Sequence, residues 1–455
     1  MTVLTPGLRP PTSALGVIAG EFGGGGLRRL IDGRGTRGEL HRELSELAPS
    51  LTGRRLLRRR RVTWKPGRNA RASFDLLLAD SVVPVQLRWL LDRVEPPLCE
   101  SSPSDLTVGL VPSHAAVKQF RRGDGGAAKG RVLVWPVDPD RPKLIELVAG
   151  GMAPLAPVVG HRSPPTVEVV RYRPGQRHVL AVTGSEAKIF LKVGRPAEVA
   201  VAMARAEAIE RAMSPLPVQF AQAIWASEEF GAVAYGALPG RPLRLLIRSQ
   251  AAGALPALTA TGAMLSGVHR SDIPEATGAG LLPPLHPERE MAAVVRAADY
   301  VAVLAPDGFL SARTLAAEAL ALLSATAASS DMTLLHHDLK CDHVLVHRTG
   351  LGIIDLDAVG LGDPASDVAR MLADLAWWTP PAGRPAVRRA FLAGYGRDDP
   401  GFRRRVAAWE ALAIIKQAAR RIPVLDLHLA ERFSDQLVEA RRAIDRAGGQ
   451  RPDDS

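Results

Sequence analysis

The rhythm of apolar and polar positions changes along this chain. Leu27, Leu30, Leu40, Leu44 and Leu47 recur at the spacing of one helical face, so residues 27–57 read as helical. Between residues 62 and 148 the rhythm shortens. Residues 74–78, 116–120 and 131–135 read as strands, set apart by loop signals at Pro96-Pro97, residues 101–104 and residues 123–126. From Val167 the pattern sharpens into three strands, 167–172, 178–182 and 188–193. They are joined by the turn Arg173-Pro174-Gly175-Gln176-Arg177 and a hairpin at Gly184-Ser185. An Ala-rich helix is expected over about 196–213, with Pro at its first turn as helices favour. Another strand, 232–235, stops at Leu238-Pro239-Gly240, and beyond Gln250 the periodicity is mostly helical. This order predicts an α+β chain: a sheet with one helix, then a helical half.

Composition narrows the class. The 455 residues suffice for two or three domains, and 46% apolar content fits a packed core. Two cysteines, Cys99 and Cys341, exclude a disulfide framework and a four-Cys zinc site. No apolar run approaches ~18 residues and the N-terminus is broken by Pro6, Pro10 and Pro11, so neither a membrane span nor a signal peptide is expected. A cytoplasmic protein with reduced thiols follows. The net charge of +11 permits anionic partners without demanding them. Arg58-Arg59-Arg60-Arg61 could touch RNA, but 5% aromatic content leaves few rings for base stacking. The run reads as a solvated helix end or strand edge, and nucleic acid is not an expected partner. Gly23 to Gly26 reads as a linker, because no strand precedes it as a phosphate loop would need. Thr63-Trp64-Lys65-Pro66-Gly67-Arg68 echoes Arg171-Tyr172-Arg173-Pro174-Gly175-Gln176, which a duplicated sheet unit or common turn chemistry would equally explain.

The chemistry concentrates between Leu334 and Leu372. His336-His337-Asp338 precedes a short polar turn. Val344-Leu345-Val346 and Gly352-Ile353-Ile354 form two apolar strands around Arg348-Thr349-Gly350, and Asp355 and Asp357 end the second. A turn centred near Thr349 and Gly350 would set His343 opposite Asp355, at the ~4.5–5.5 Å between facing Cα atoms. The two could then reach one metal ion, with Asp338 on the loop entering the same hairpin. A carboxylate to orient a hydroxyl and ligands for a metal on the phosphates are what phosphoryl transfer needs.

This stretch resembles the aminoglycoside phosphotransferase and choline-kinase-like family, relatives of the protein kinases. The matching residues are His336-His337-Asp338, position 343, Ile354-Asp355, Gly362-Asp363-Pro364 and Asp367, and His336 to Lys340 resembles the kinase pattern His-Arg-Asp-Leu-Lys. The resemblance covers roughly residues 167–422. It implies a bilobal protein-kinase-like fold, with a small antiparallel-sheet N-lobe and a helical C-lobe, preceded here by an additional N-terminal β-rich region. The expected divisions are an arm and helical segment (1–57), the β-rich region (58–160), the N-lobe (161–240) and the C-lobe with its catalytic loop (241–455). The implied reaction is ATP-dependent phosphorylation of a hydroxyl on a small molecule or a peptide, with GTP as a possible donor and Mg²⁺ or Mn²⁺ as the metal. Asp338 is the expected base, and His343 and Asp355 hold the metal. The resemblance also implies that Lys192 grips the nucleotide phosphates, with Glu207 or Glu210 as its ion-pair partner, and that Tyr235 to Gly240, including Ala237, lies beside the base. His336, Lys340, Asp357 and Asp367 are supporting residues, Asp367 bracing the loop, and His269 is a core or capping histidine.

Two departures stand out. The family's glycine is His337, and its metal-ligand Asn is His343, where maltokinases tolerate Gln. Imidazole suits Mn²⁺ better than Mg²⁺, which prefers oxygen. His343 therefore also motivates a pseudokinase that binds nucleotide or a partner without chemistry. Protonation of His343 at its ordinary pKa would expel a metal below about pH 6. A zinc site from His336, His337, Cys341 and His343 has irregular spacing, and no Gly-x-Ser-x-Gly elbow supports a serine hydrolase. Residues 361–455 hold 16 basic and 13 acidic residues, which tilts the acceptor away from polycations.

Overall fold

In a computed structural model the structure describes residues 56–65, 69–77, 82–90, 116–121, 129–273, 281–326 and 332–448. The glycine run at 23–26, the helical reading of 27–55, the turn at 66–68, the loops at 96–97, 101–104 and 123–126, and Cys99 lie outside them. The chain divides into two compact units. The first holds the described residues up to Pro196 with Ser227–Ala232 and Ile422–Leu429; the second holds Ala197–Ala226, Val233–Arg421 and the described residues from Ala430.

The first unit opens with a five-stranded sheet in the order β1-β2-β3-β5-β4, made of β1 (Leu56–Lys65), β2 (Asn69–Leu77), β3 (Val82–Leu90), β4 (Ala116–Arg121) and β5 (Lys129–Val134). Each neighbouring pair is antiparallel. Alternation sorts its faces as a half-buried sheet requires. Val62, Trp64, Ala70, Ala72, Phe74, Leu76, Val83, Val85 and Leu87 are buried on one side. The basic run 58–61 falls on β1 at the sheet's edge, where a bulge between Arg59 and Arg61 shifts the register. Asp75 accepts from Arg58 Nη2 at 2.8 Å and Arg60 Nε at 2.5 Å. A charged edge of this kind discourages pairing with another chain.

A short helix, α1 (Lys143–Ala149), leads to three antiparallel strands: β6 (Thr166–Arg171), β7 (His178–Thr183) and β8 (Lys188–Val193). Asp138 explains why these strands belong with the N-terminal sheet. Its fully buried carboxylate meets His178 Nε2 at 2.8 Å and Arg141 Nη1 at 3.2 Å, and accepts the Gly175 N–H of the β6–β7 turn at 3.1 Å. Tyr172 Oη donates to Val137 O at 2.5 Å, and Arg141 Nε donates to Gly194 O at 3.0 Å. Burial opposes ionisation of Asp138, but the His178 hydrogen bond and charge, the Gly175 N–H and Arg141 outweigh it and lower its pKa. Residues 161–196 fall in the same compact unit as the β-rich region.

The second unit is mainly helical. It contains α2 (Val199–Met213), α3 (Leu243–Arg248), α4 (Ala254–Arg270), α5 (Pro287–Ala302), α6 (Pro306–Ala325), α7 (Ala365–Trp378), α8 (Arg384–Tyr395), α9 (Pro400–Arg421) and α10 (Leu429–Ala447). α7 packs on α9 and α4 on α8. At Gly262 and Gly394 an added Cβ would strike facing backbone at 2.1 and 1.9 Å, so glycine lets α4 and α8 approach closely. Among the described residues α6 is the one helix long and apolar enough to cross a membrane by length and composition alone. Its mean hydropathy is 1.2 over an 18-residue window. It packs against α5 and α9 through buried Leu315, Ala316, Ala319 and Leu323, and its Glu318 is bound by Arg441. A helix with one face in a protein core passes the same length and composition test. Short strands complete this unit: β9 (Gln219–Phe220), β12 (Arg241–Pro242), β14 (Val344–His347) and β15 (Gly350–Ile353) form a sheet in the order β12-β14-β15-β9, and β13 (Thr333–Leu335) pairs with β16 (Gly360–Gly362). β10 (Ala223–Ser227) and β11 (Ala232–Gly236) supply the strand expected near 232–235.

Candidate active site

The loop 336–343 is suspended between two short strand pairs of the second unit. β13 delivers His336, and β14 leaves from His343. In the hairpin, His347 faces Gly350 and Val344 faces Ile353, so the turn is Arg348-Thr349. This corrects the expected register. His343 lies opposite Ile354, whose N–H donates to His343 O at 3.0 Å, and not opposite Asp355. A one-residue change in register should send Asp355 to the other face. The backbone restores it: Asp355 is left-handed, with φ 63°. Its carboxylate thus comes within 3.5 Å of His343 Nε2. Donor atoms of Asp338, His343 and Asp355 all lie within 4.8 Å of one another.

Asp367 sits in the first turn of α7, fully buried. Its two oxygens accept the His336 N–H at 2.6 Å and the His337 N–H at 2.9 Å, and His269 Nε2 is 3.5 Å away. Tyr395 Oη lies 2.9 Å from the other nitrogen of His269. Burial opposes ionisation of Asp367, yet the His269 hydrogen bond and the charges of His269, His336 and His337 prevail, bringing its pKa to about 2. Asp363, one turn earlier, accepts the Ala365 N–H at 3.0 Å, Arg405 Nε at 3.0 Å and Trp409 Nε1 at 3.1 Å. His336 links the loop to the segment that carries Asp355. Its Nε2 lies 3.1 Å from Ile354 O and its Nδ1 accepts the Asp338 N–H at 3.3 Å.

His337 also has positive φ, 65°. The position therefore demands the left-handed region, which glycine enters freely and histidine only when held. Here Nδ1 lies 2.9 Å from Ala358 O and the ring covers Gly360, where a Cβ would come within 3.1 Å of it and 2.3 Å of Pro283 O. Burial lowers the His337 pKa.

His343 is buried, and its ring stacks on His336 at 5.6 Å. Burial, followed by the positive neighbours His336 and Lys340, pushes its pKa down to about 4 against the opposing pull of Asp355 and Asp338. The imidazole is therefore neutral near pH 7 and can donate a lone pair, which moves its protonation below the pH 6 expected of an ordinary histidine. Lys340 Nζ lies 2.8 Å from Asp338 Oδ2. Two carboxylates and one neutral imidazole make a mixed oxygen and nitrogen donor set that fits Mn²⁺ readily, and Mg²⁺ with water completing its shell.

The other expected residues are placed as follows. Lys192 is half-buried on β8, in the first unit. Glu207 and Glu210 are exposed on α2, in the second, and Glu210 accepts from Gln222 Nε2 at 3.1 Å. Tyr235 and Ala237 are half-buried at the end of β11. Asp357 contributes its backbone: its carbonyl accepts Arg205 Nη1 at 2.7 Å, while Arg205 Nε donates to Leu281 O at 2.8 Å. Sequence reasoning missed Arg205, an arginine in an amphipathic helix with no local signal of its distant partners. It also missed Asp374, which accepts the Cys341 N–H at 2.7 Å and binds Arg421, and the buried trio in which Glu290 meets Arg370 at 2.9 Å and Lys416 at 2.6 Å. The Asp-x-x-x-x-x-x-Asp spacing from Asp367 to Asp374 places both carboxylates on one face of α7, and that was the available clue.

A search of curated proteins finds no match. Solved structures to which this chain shows a likeness include a choline/ethanolamine kinase family protein from Mesorhizobium loti, at 17% identity and TM-score 0.45 over 66% of this chain and 98% of that one. An ethanolamine kinase from Plasmodium vivax is 14% identical, TM-score 0.43, over 66% and 86% of the two chains. A spectinomycin phosphotransferase in complex with ADP and spectinomycin is 14% identical, TM-score 0.45, over 62% and 93%. The family described as "Phosphotransferase enzyme family" matches residues 168–413, a span that includes the loop 336–343, Asp355 and Asp367. More than half of the chain is covered, and the chain, α+β with an additional β-rich region in front of the matched span, therefore belongs to that phosphotransferase family.

Proposed function

We propose that the protein is a metal-dependent kinase that moves the γ-phosphoryl group of ATP, or of GTP, to a hydroxyl of a small molecule. The supporting observation is the convergence of Asp338, His343 and Asp355 donor atoms within 4.8 Å on a loop fixed by Asp367. Asp338 is the base: its carboxylate orients the acceptor hydroxyl and takes its proton as the new P–O bond forms. Lys340, 2.8 Å from it, balances its charge, and His336 fixes the backbone on which it stands. Asp355 and His343 would hold the divalent cation, which when bound supplies charge neutralisation on the phosphates. Lys192 binds the phosphates, and Tyr235 and Ala237 border the base. The basic excess of the C-terminal residues favours a neutral or anionic acceptor. An ATP-dependent enzyme of this kind belongs in the cytoplasm. Asp338→Asn should lower phosphorylation by ~10²–10⁴-fold while leaving nucleotide affinity nearly intact. Acceptor-dependent ADP release under Mg²⁺ or Mn²⁺ measures this, and survival within about tenfold would remove Asp338 from the role. A pseudokinase remains the second reading because His343 stands where relatives use an amide.

A further inference from the structure

His343 faces Asp355 without the support that an imidazole ligand usually has. A ligating histidine commonly donates its second ring N–H to a carboxylate or carbonyl, which fixes its aim. Here Nε2 is the nitrogen turned to Asp355, and Nδ1 is buried with no hydrogen-bonding partner among the described residues. The His336 ring stacks on one face at 5.6 Å. Stacking resists tilt but gives no direction within the plane of the ring. The aim of His343 must therefore come from the backbone that carries it.

That backbone is a tight turn. The His343 N–H donates to Lys340 O at 2.9 Å, so Cys341 and Asp342 are its two central residues. Two helices of the second unit grip them. From α7, fully buried Asp374 accepts the Cys341 N–H at 2.7 Å. From α3, the Arg244 N–H donates to Cys341 O at 3.1 Å, and Arg244 Nε donates to Asp342 Oδ1 at 2.5 Å. Both grips meet on one indole. Arg244 Cζ lies 5.0 Å from the centre of the Trp378 ring, at the end of α7. Arg421, the ion-pair partner of Asp374, has its Cζ 5.6 Å from the same ring. A planar guanidinium held against an aromatic ring keeps its donors in a fixed direction, as a flexible ammonium does not. Arg248 offers a contrast. Its Cζ is 5.8 Å from that ring, but its side chain is exposed and makes no bond to the turn.

We propose that Arg244 is a positioning residue for His343: through Asp342 it sets the direction of the imidazole, in place of a hydrogen bond to Nδ1. This rests on the reading of Asp338, His343 and Asp355 as the cation site. Arg244 acts through the turn alone.

Mn²⁺ binding to the full-length protein in the presence of ADP tests it, followed by calorimetry and by the electron spin-echo signal of nitrogen coupled to the ion. Wild type should show coupling to an imidazole nitrogen. Arg244→Met keeps an apolar stem against Trp378 but releases Asp342. It should weaken Mn²⁺ binding about tenfold or more, as loss of outer-shell support does, and diminish the nitrogen coupling. Arg244→Lys should restore part of both. Arg248→Met removes a guanidinium from the same ring without touching the turn and should change neither. If thermal melts show that Arg244→Met fails to fold, Asp342→Asn weakens the same link from its exposed end and should give a loss in the same direction. Coupling and affinity that persist in the Arg244 and Asp342 variants would overturn the proposal and leave the cation site standing. An equal loss in Arg248→Met would trace the effect to packing on Trp378 and overturn it too. Wild type without imidazole coupling would remove His343 from the cation site, and the proposal with it.

Discussion

His343 shows how burial changes the chemistry of one side chain. With its pKa lowered from an ordinary 6.5 to about 4, it remains neutral in the fold and takes up a proton only when unfolded over the window between those values. A lowered pKa contributes stability that is present above pH 6.5 and is lost as pH falls toward 4. His337, also lowered by burial, acts in the same direction. Metal-free wild type should therefore lose more stability than His343→Asn between pH 7 and pH 4.5, by as much as about 3 kcal/mol at ~1.4 kcal/mol per pKa unit. Parallel thermal melts of the two proteins measure this, and equal acid sensitivity would show that the imidazole is solvated. The residues of this site could be read from the sequence as types and spacings. Their backbone could not: at His337 the positive φ is held by contacts to Asp367, Ala358 and Gly360, up to 30 positions away, and Asp355 is left-handed as well. The glycine normally found at position 337 was the one hint of the first, and nothing local announced the second.

Among the elements, the sequence foretold strands β6 to β8, helix α2 and the hairpin β14–β15, because apolar alternation and turn residues are local signals. It missed β3, whose Pro84 and Arg88 disguise a strand paired on both sides, and it misplaced the hairpin turn. A two-residue Arg348-Thr349 turn, with Gly350 at φ 151°, had no strong turn signature to mark its centre. It missed as well the link between α2 and the segment after Asp355, because Arg205 and Asp357 are 152 residues apart. That link predicts a distinctive defect. Arg205→Met should leave the fold intact but free the segment after Asp355, raising the metal concentration needed for half-maximal turnover by about tenfold, with Arg205→Lys intermediate. A metal titration of activity checks it. An unchanged metal requirement would reduce Arg205 to a packing residue.

At the scale of the whole molecule, the family match from residue 168 to 413 leaves the sheet of β1 to β5 outside it, yet Asp138, Arg141 and Tyr172 join that sheet's exit to strands β6 to β8 in one compact unit. Length and strand pattern foretold an extra β-rich region. The buried His178–Asp138 pair that binds it to the following strands was invisible, since the two are 40 positions apart. Lys192, on β8 of that unit, should be required for nucleotide handling, and Lys192→Ala should weaken ATP affinity or turnover about tenfold or more. Unaltered ATP binding and turnover would place the lysine outside the site. The most direct test of the account compares acceptor-dependent phosphoryl transfer by wild type, Asp355→Ala and His343→Asn in Mg²⁺ and in Mn²⁺. Wild type should be active with at least one metal, Asp355→Ala should abolish metal-dependent turnover, and His343→Asn should preserve it with a shift toward Mg²⁺. Metal-dependent turnover that survives Asp355→Ala, or a wild type inactive with both metals and revived by His343→Asn, would contradict it.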